Sequence, residues 1–436
     1  MIAALSVLAL TVSVALARPK VGGLRIHHGW AAVLGAALML GLGILPLGLL
    51  WVTFRLLALP VVTIVSLMTI TIVADRAGLI AIMARRIGRL AAGDARRLFT
   101  LIFICGTLVG AVFTNDAAIL LFTPLVFTLI EEIQEPGWTL RHKIPFYFAV
   151  LYVGNLVGAL VISNPINIVV SSIFHVAFLE YAKWMVAPAL VSMIVSFVGL
   201  RIAFRRQLPV TCGLPKEHSI QPKDLAMVRL SCLVVGLTLL GFFSESVTGM
   251  PTWGVAAAGA LTLLVATALR GGSPFQVVRG VAWDVIVFLV GMFTISMALR
   301  NVGVTHVLRD IISGIGGAGE DGFGLSTGLV AAVCSSILNN HPTAGLMIWV
   351  IQDLSQSFSE VKQLVFAALI GGDLGPKMLP IGSLAALMWF RILRDRGVEV
   401  PYKLYIAIGI PVTLAAVILS ILTLDLEHWL VIGLGR

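Results

Sequence analysis

The chain has 436 residues, of which 59% are hydrophobic and 12% charged, with a mean hydropathy of +1.03. A soluble domain carries about 25% charged residues, so a water-soluble enzyme is excluded. The net charge of +9 comes with no soluble module long enough to present the basic face that nucleic acid requires. The composition is that of an integral membrane protein.

A membrane span needs about 20 apolar residues. In chain order such stretches fall at roughly 1–17, 29–50, 56–74, 144–177, 184–205, 225–243, 252–269, 282–299, 363–390 and 402–424. The first lacks a basic n-region and reads as a retained span rather than a cleaved signal peptide. Stretches 144–177 and 363–390 are too long for a simple span and read as broken helices. Two more, 98–130 and 323–354, would each make a helix of about 50 Å, well beyond a hydrocarbon core of about 30 Å. Each is interrupted by Asn, Asp or Pro near its centre. They are predicted to be helical hairpins that enter the membrane, turn and leave on the same side.

The basic residues test this parity. With two hairpins and an outer start, the cytoplasmic segments are 18–28, 75–97, 131–143, 201–224, 270–281 and 391–403, and they hold 22 of the 30 Lys and Arg. That bias follows the positive-inside rule. It places both termini on the outer face of the cell membrane, the inner membrane in a Gram-negative host. His27 and His28 then lie in a basic loop at the membrane surface.

The same parity exposes a repeat. Residues 1–205 and 225–424 each run three spans, a hairpin, a broken helix and a span, starting from opposite sides. The expected fold is an all-α polytopic membrane protein of two inverted repeats, each with a re-entrant helical hairpin and a broken transmembrane helix. A polar linker at 206–224 joins the repeats, and 425–436 forms a short tail. Breaks at corresponding places in inverted halves point to a transporter's binding site.

Four interruptions carry the chemistry. The first hairpin turns at FTNDAA, 113–118, and the second at LNNHPTAG, 338–345. Pairing Asn115 with Asn340 sets Asp116 opposite His341, with Asn339 and Thr343 nearby. Asp116 is the only charged residue between Leu98 and Ile130, and an ionisable residue within a membrane is a functional hypothesis by default. The first broken helix contains SNPIN. Pro165 disfavours helix at Asn164, which leaves Asn164 and Asn167 to offer amides to an unwound turn. The second reads GGDLGPKMLPIGSL, where Gly375, Pro376 and Pro380 break the helix before Ser383. It also holds Asp373 and Lys377, four apart and of opposite sign, which are expected to pair and neutralise one another. Brought together, the four breaks would line a small polar cavity suited to a small solute. Set against this, Asn and Ser in membrane helices often only join helices, and Asp116 could serve as a cap. Cys105 and Cys334 lie upstream of the two turns at unmatched distances; thiolates bind soft centres, so they are candidate metalloid contacts, while buried Cys is also a common small hydrophobe. The four Cys show no disulfide spacing. No metal-ligand set, no G-x-x-x-x-G-K-[ST] loop and no catalytic triad is present, so neither cofactor nor enzyme activity is expected.

VFTNDAAILLFTPLVF, VISNPINIVVSS, SSILNNHPTAG and especially GGDLGPKMLPIGSLAALMW resemble the arsenite/antimonite efflux carriers. These sit within a wider ion transporter group that includes sodium/proton antiporters and dicarboxylate carriers. The resemblance covers nearly the whole chain and implies the same fold. It further implies export of trivalent arsenic or antimony in exchange for protons, with a separate soluble ATPase in some members and homodimers common in the group. On this resemblance the acidic residue of the first turn is Asp116, and the acidic-basic stretch is Asp373 with Gly375, Pro376 and Lys377. Two departures lie near the expected cavity: Pro165 after Asn164, and the ionisable His341.

Proton coupling is therefore expected at Asp116, with His341 or Asp373 as partner. Solute hydroxyls are expected on Asn115, Asn164, Asn167, Asn339, Asn340, Thr343 and Ser383. Two alternatives use the same residues. A sodium/proton antiporter would place a cation between Asp116 and Asp373. A carrier of small inorganic or carboxylate anions would use Lys377.

Overall fold

The computed structural model describes residues 1–21, 24–214, 224–316, 322–354 and 358–434, with the backbone alone at 20, 21, 24, 25, 116, 117, 358–360 and 432–434. The first half runs α1 (Ile2–Ala17), a two-residue ladder of β1 (Lys20–Val21) and β2 (Leu24–Arg25), α2 (His28–Gly41), α3 (Leu47–Ala77), α4 (Leu79–Ala91), α5 (Ala95–Val112), α6 (Asn115–Ile133), α7 (Leu140–Val153), a 3₁₀ turn at Val161–Ser163, α8 (Pro165–Ile173) and α9 (Phe178–Ala203). The second half runs α10 (Leu225–Phe243), α11 (Glu245–Thr248), α12 (Thr252–Leu269), α13 (Pro274–Arg279), α14 (Trp283–Asn301), α15 (Val304–Gly316), α16 (Phe323–Leu338), α17 (Asn340–Leu354), α18 (Phe358–Leu374), 3₁₀ turns at Gly375–Lys377 and Pro380–Gly382, α19 (Leu384–Arg394) and α20 (Tyr402–Leu434). Among the described residues seven helices are long and apolar enough to cross a membrane, and α1, α2 and α16 are shorter apolar helices. The chain is an α-helical, multi-pass membrane protein.

Both long stretches turn where the Asn residues stand. Helix α5 ends at Val112 and α6 starts at Asn115; α16 ends at Leu338 and α17 starts at Asn340. The bases of the two hairpins lie at opposite ends of α9. At the first base, Ala95 N–H donates to Val210 O at 3.0 Å and Gly213 N–H to Ile133 O at 2.8 Å, just past the C-terminal end of α9. Asp94 caps α5 there by accepting from the Arg96 and Arg97 N–H groups, and those backbone bonds, Arg97 first, hold its carboxyl below the usual carboxylate range. At the second base, Gln363 donates to Asp425 at 2.8 Å and Lys362 pairs with Glu180, in the first turn of α9. Helix α20 runs antiparallel to α9, with Ser420 Oγ donating to Pro188 O at 3.0 Å and Gly199 packed on Val412.

Several details differ from the sequence reading. Helix α20 continues to Leu434, so residues 425–434 extend the last span instead of forming a tail, because DLEHWLVIGL keeps a helix-forming apolar run. Stretch 29–50 does not form one span: α2 stops at Gly41 and α3 starts after Pro46. His28 is not at a surface. It begins α2 fully buried, with Nδ1 3.2 Å from Arg18 Nη2 and Nε2 3.3 Å from Asp284. Each half also carries an amphipathic helix ahead of its hairpin, α4 and α15, that no expectation covered. In α4, Ile80, Ala84, Ile87 and Ala91 are buried while Arg86 and Arg89 face out. Part of the linker, 215–223, lies outside the described residues.

The glycines of GGDLGPK have a second use. Helix α16 packs at backbone contact on α18 and the turn after it, where Gly371 of α18 and Gly375 of the turn meet Gly328 and Ala332 of α16. A methyl group at Gly371 would run into the Gly328 carbonyl. Small residues four apart on each helix permit this approach. Gly371→Ala is expected to lower stability by about 1–3 kcal/mol through overpacking, read as a lower midpoint in thermal unfolding of the detergent-purified protein. Gly372→Ala, a change with open space around the new methyl, is expected to leave the midpoint unchanged.

Candidate functional site

The site lies where the two broken helices cross. In the first, α7 stops at Val153 and the chain unwinds through the 3₁₀ turn before α8 resumes. Pro165 occupies the first helical position of α8, where its missing N–H costs nothing. Asn164 is the cap, its Oδ1 accepting from Ile166 N–H at 3.2 Å. In the second, α18 stops at Leu374, and Gly375, Pro376 and Pro380 build the two 3₁₀ turns that precede α19. Ser383 caps α19, accepting from Ala386 N–H at 3.1 Å. Both breaks thus follow one plan: a 3₁₀ turn, a polar cap, a new helix.

Each cap side chain also reaches the opposite break. Asn164 Nδ2 donates to Asp373 Oδ1 at 2.7 Å, and Ser383 Oγ donates to Asn155 Oδ1 at 3.3 Å. Asp373 stands in the last turn of α18, and Asn155 lies two residues past α7. The two contacts are therefore reciprocal, with a carboxylate at one and a neutral amide at the other. Asp373 is fully buried and takes two further donors, Gly158 N–H at 3.1 Å and Asn167 Nδ2 at 3.0 Å, both on Oδ2. It also faces the N-terminal end of α8, where the helix dipole favours negative charge. Tyr181 Oη donates to Gly158 O at 3.1 Å and fixes that strand of the break. Asn167 Oδ1 is buried with no partner among the described residues.

Lys377 does not form the expected pair. Among the described residues it makes no ion pair with Asp373; its Nζ stands 5.1 Å from the Tyr152 ring centre and 3.5 Å from Ser196 Oγ. The reason is local. The chain leaves α-helical geometry after Leu374 and tightens into a 3₁₀ turn, so the i,i+4 alignment that would join the two side chains is lost. Asp373 is satisfied by amide donors instead.

The hairpin turns brace the breaks. Asn115 Nδ2 donates to Leu156 O at 3.3 Å, in the first unwound segment. Asn339 Nδ2 donates to Gly382 O at 3.1 Å, in the second. Asn115 and Asn340 each begin the helix that leaves its turn, while the brace to the second break comes from Asn339, just before α17. Asn339 takes a positive φ, 84° with ψ 158°, and closes the second turn in one residue where the first takes two. Thr343 Oγ1 donates to Asn339 O at 2.8 Å and closes the turn. His341 is buried, its Nδ1 3.0 Å from Asn339 Oδ1 and 2.8 Å from Asn340 Oδ1, with Phe288 edge-on to its ring. The Asp116 side chain lies outside the described residues; its backbone belongs to the first turn of α6.

Two small cavities flank the crossing. One of about 80 Å³ runs along the first unwound segment, with Thr107, Asn115 and Ser163 in its lining. A crevice of about 10 Å³ touches Asp373 and is otherwise almost wholly apolar. Cys105 packs with the apolar side chains of the first hairpin and Cys334 with those around α16 and α18; neither lines either cavity. Among the described residues no cluster of His, Cys, Asp or Glu could hold a metal ion. Gly158, Tyr181 and Ser192 escaped sequence reasoning. Asn155 read only as a polar residue that could join helices, because its partner, 228 positions away, left no local trace.

The family described as arsenical pump membrane protein matches residues 3–430. Over 432 residues the chain is 33% identical to an arsenical pump membrane protein of Escherichia coli, an alignment that covers 98% of this chain and 99% of that protein. It is 23% identical over 368 residues to a putative arsenical pump membrane protein of Bacillus subtilis, covering 79% of this chain and 82% of that one. Among solved structures, the Alcanivorax borkumensis YdaH transporter, described as having an unusual topology, superposes with a TM-score of 0.57 at 14% identity over 99% of this chain and 97% of that chain. That likeness concerns the fold alone.

The contact of Asn164 with Asp373 admits a charge-swap experiment. Asn164→Asp alone sets two carboxylates side by side and replaces a charge-assisted hydrogen bond worth about 1.5–3 kcal/mol, so the thermal midpoint is expected to fall. Adding Asp373→Asn restores one carboxylate facing one amide, and the midpoint is expected to recover most of the loss.

Proposed function

The chain belongs to the arsenical pump membrane protein family, and from that premise we propose that it exports trivalent arsenic and antimony hydroxides in exchange for inward-moving protons. Membership makes it a membrane transporter concerned with arsenicals. The exchange, its ion and the roles of single residues are the proposal.

The supporting observation is Asp373. As a carboxylate it is an acceptor only, and all three of its partners are N–H donors. Oδ2 already accepts two donors, Gly158 N–H and Asn167 Nδ2, so a proton on Oδ2 would take a lone pair that one of them uses. That contact would then have to open. A proton and the close approach of the two broken helices thus compete at one side chain. Loss of the approach frees the amides of Asn164 and Asn167, and Asn167 already offers an unpaired Oδ1. Amides that both donate and accept suit a solute that is an uncharged trihydroxide in neutral water. A cavity of about 80 Å³ beside the first break holds a solute of about two to three water volumes at about 30 Å³ each.

The energetics suit an exchange. The membrane potential does no work on a neutral solute, whereas an inward proton gains about 2.3 kcal/mol per 100 mV. Asp116, beside Asn115 at the first turn, is proposed as the second proton site. We take the two halves as inverted repeats that rock about the crossing, with Lys377 holding the second break against Tyr152. The Lys and Arg distribution supports both termini on the outer face.

Proton-driven arsenite uptake into everted membrane vesicles tests the reading. Asp373→Asn and Asp116→Asn are each expected to lower coupled uptake at least tenfold at normal membrane levels. Undiminished coupled uptake removes the replaced residue as a proton site, and undiminished uptake in both overturns the mechanism.

A further inference from the structure

Helix α4 lies at the base of the first hairpin and joins the end of α3 to the start of α5. It has 13 residues, about 20 Å of helix, too short to cross a bilayer. The Lys and Arg distribution sets both of its ends on the cytoplasmic side, so α4 runs along the membrane surface there. Its inner face, with Ile80, Ile87 and Ala91, is buried in the cluster that holds Phe99, Ile130 and Ile133 of the hairpin. The outer face has two parts. Arg85, Arg86 and Arg89 stand three and four apart on one flank, with Arg86 and Arg89 exposed. Leu79, Met83 and Leu90 form an apolar stripe beside them; Leu79 and Met83 are half-buried and Leu90 is 53% exposed. A helix of this kind seats its apolar stripe among acyl chains and its basic flank at the level of the headgroups.

These arginines differ from other basic groups on the same side. Arg76, Lys143, Arg270, Arg391 and Arg396 each reach a carbonyl or a carboxylate. Arg86 and Arg89, with Arg96 and Arg97 in the first turn of α5, make no ion pair or side-chain hydrogen bond among the described residues, and all four are exposed. Asp94, between them in sequence, has its Oδ1 taken by two backbone N–H groups. The matched helix of the second half supplies the contrast. Helix α15 also exposes an apolar stripe, Val307, Ile311 and Ile315, but its Arg309 pairs with Asp310 at 2.8 Å. Positive-inside bias accounts for basic residues at α4, but not for an unpaired set on the flank of an apolar stripe. We propose that the outer face of α4 holds an anionic phospholipid, its phosphate on Arg86 and Arg89, with Arg96 and Arg97 just past the turn, and its acyl chains along Leu79, Met83 and Leu90. The stripe favours a lipid over a soluble acidic partner, which has no use for it. A lipid held this way anchors the base of the first hairpin to the interface. The site depends neither on the transported solute nor on the coupling ion.

The thermal midpoint of full-length protein in a neutral detergent tests this, because a ligand that binds the folded chain raises it. Phosphatidylglycerol, phosphatidylcholine, water-soluble glycerol 3-phosphate and polyglutamate are added in turn. Phosphatidylglycerol is expected to raise the midpoint by about 4 °C or more, and each of the others by less than about a quarter of that. In Arg86→Gln/Arg89→Gln the phosphatidylglycerol shift is expected to fall at least twofold, with the lipid-free midpoint unchanged because both side chains are exposed and unpaired. Leu90→Glu puts a carboxylate at an exposed place in the apolar stripe and is expected to weaken the shift likewise; it carries the test if the double variant is itself less stable. Arg309→Gln in α15 is expected to keep the full shift. Equal shifts with the two lipids, an equal shift with glycerol 3-phosphate, or an undiminished shift in either α4 variant overturns the lipid site. A shift with polyglutamate and none with phosphatidylglycerol overturns it in favour of a soluble acidic partner.

Discussion

Everything in this chain turns on how one buried carboxylate is satisfied. Asp373 lies in a protein interior within an apolar helix bundle, where an isolated charge is very costly. The chain meets that cost with N–H donors from the other half of the molecule. Those donors exist only because the first broken helix unwinds after Val153 and restarts at Pro165. The unwinding is tolerated only because Asn115, Tyr181 and Ser192 bind the backbone groups it frees. The hairpin turns, the capped half-helices and the crossing are thus one arrangement. Each local break from helical geometry is offset by a side chain from another element.

The arrangement is close to symmetric, and its asymmetry is where function enters. Two cap side chains, Asn164 and Ser383, make equivalent cross-contacts, but one meets a carboxylate and the other a neutral amide. Lys377 adds a buried cation on one side only, resting on Tyr152. A fully symmetric crossing would be a joint. The proposed proton coupling rests on that placement of a titratable group in one of two matched contacts.

Much of this was legible in the sequence. Hairpins followed from a conflict between stretch length and bilayer thickness, and breaks from Pro, Gly and Asn in otherwise apolar runs. Asn164 and Asn167 were legible as donors at an unwound turn, and Asp373 as buried. What escaped is of three physical kinds. Partners distant in sequence leave no local pattern, so Asp373 was assigned to its neighbour Lys377 when its donors sit more than 200 positions away. A single positive-φ residue, Asn339, leaves no mark in LNNHPTAG. Finally, glycine has two uses that composition cannot separate: Gly375 both ends a helix and, with Gly371, lets two backbones touch. The amphipathic α4 was hidden for another reason, since its arginines counted as loop charge before its apolar face was considered.

Solute and proton are proposed to move in opposite directions through one crossing. Purified protein in liposomes loaded with a pH-reporting dye, given an outward arsenite gradient and no initial pH difference, tests it most directly. Arsenite efflux is expected to drive protons into the lumen, so that the dye reports acidification which stops when the arsenite gradient is removed. Arsenite efflux at full rate with no change in lumenal pH would contradict it.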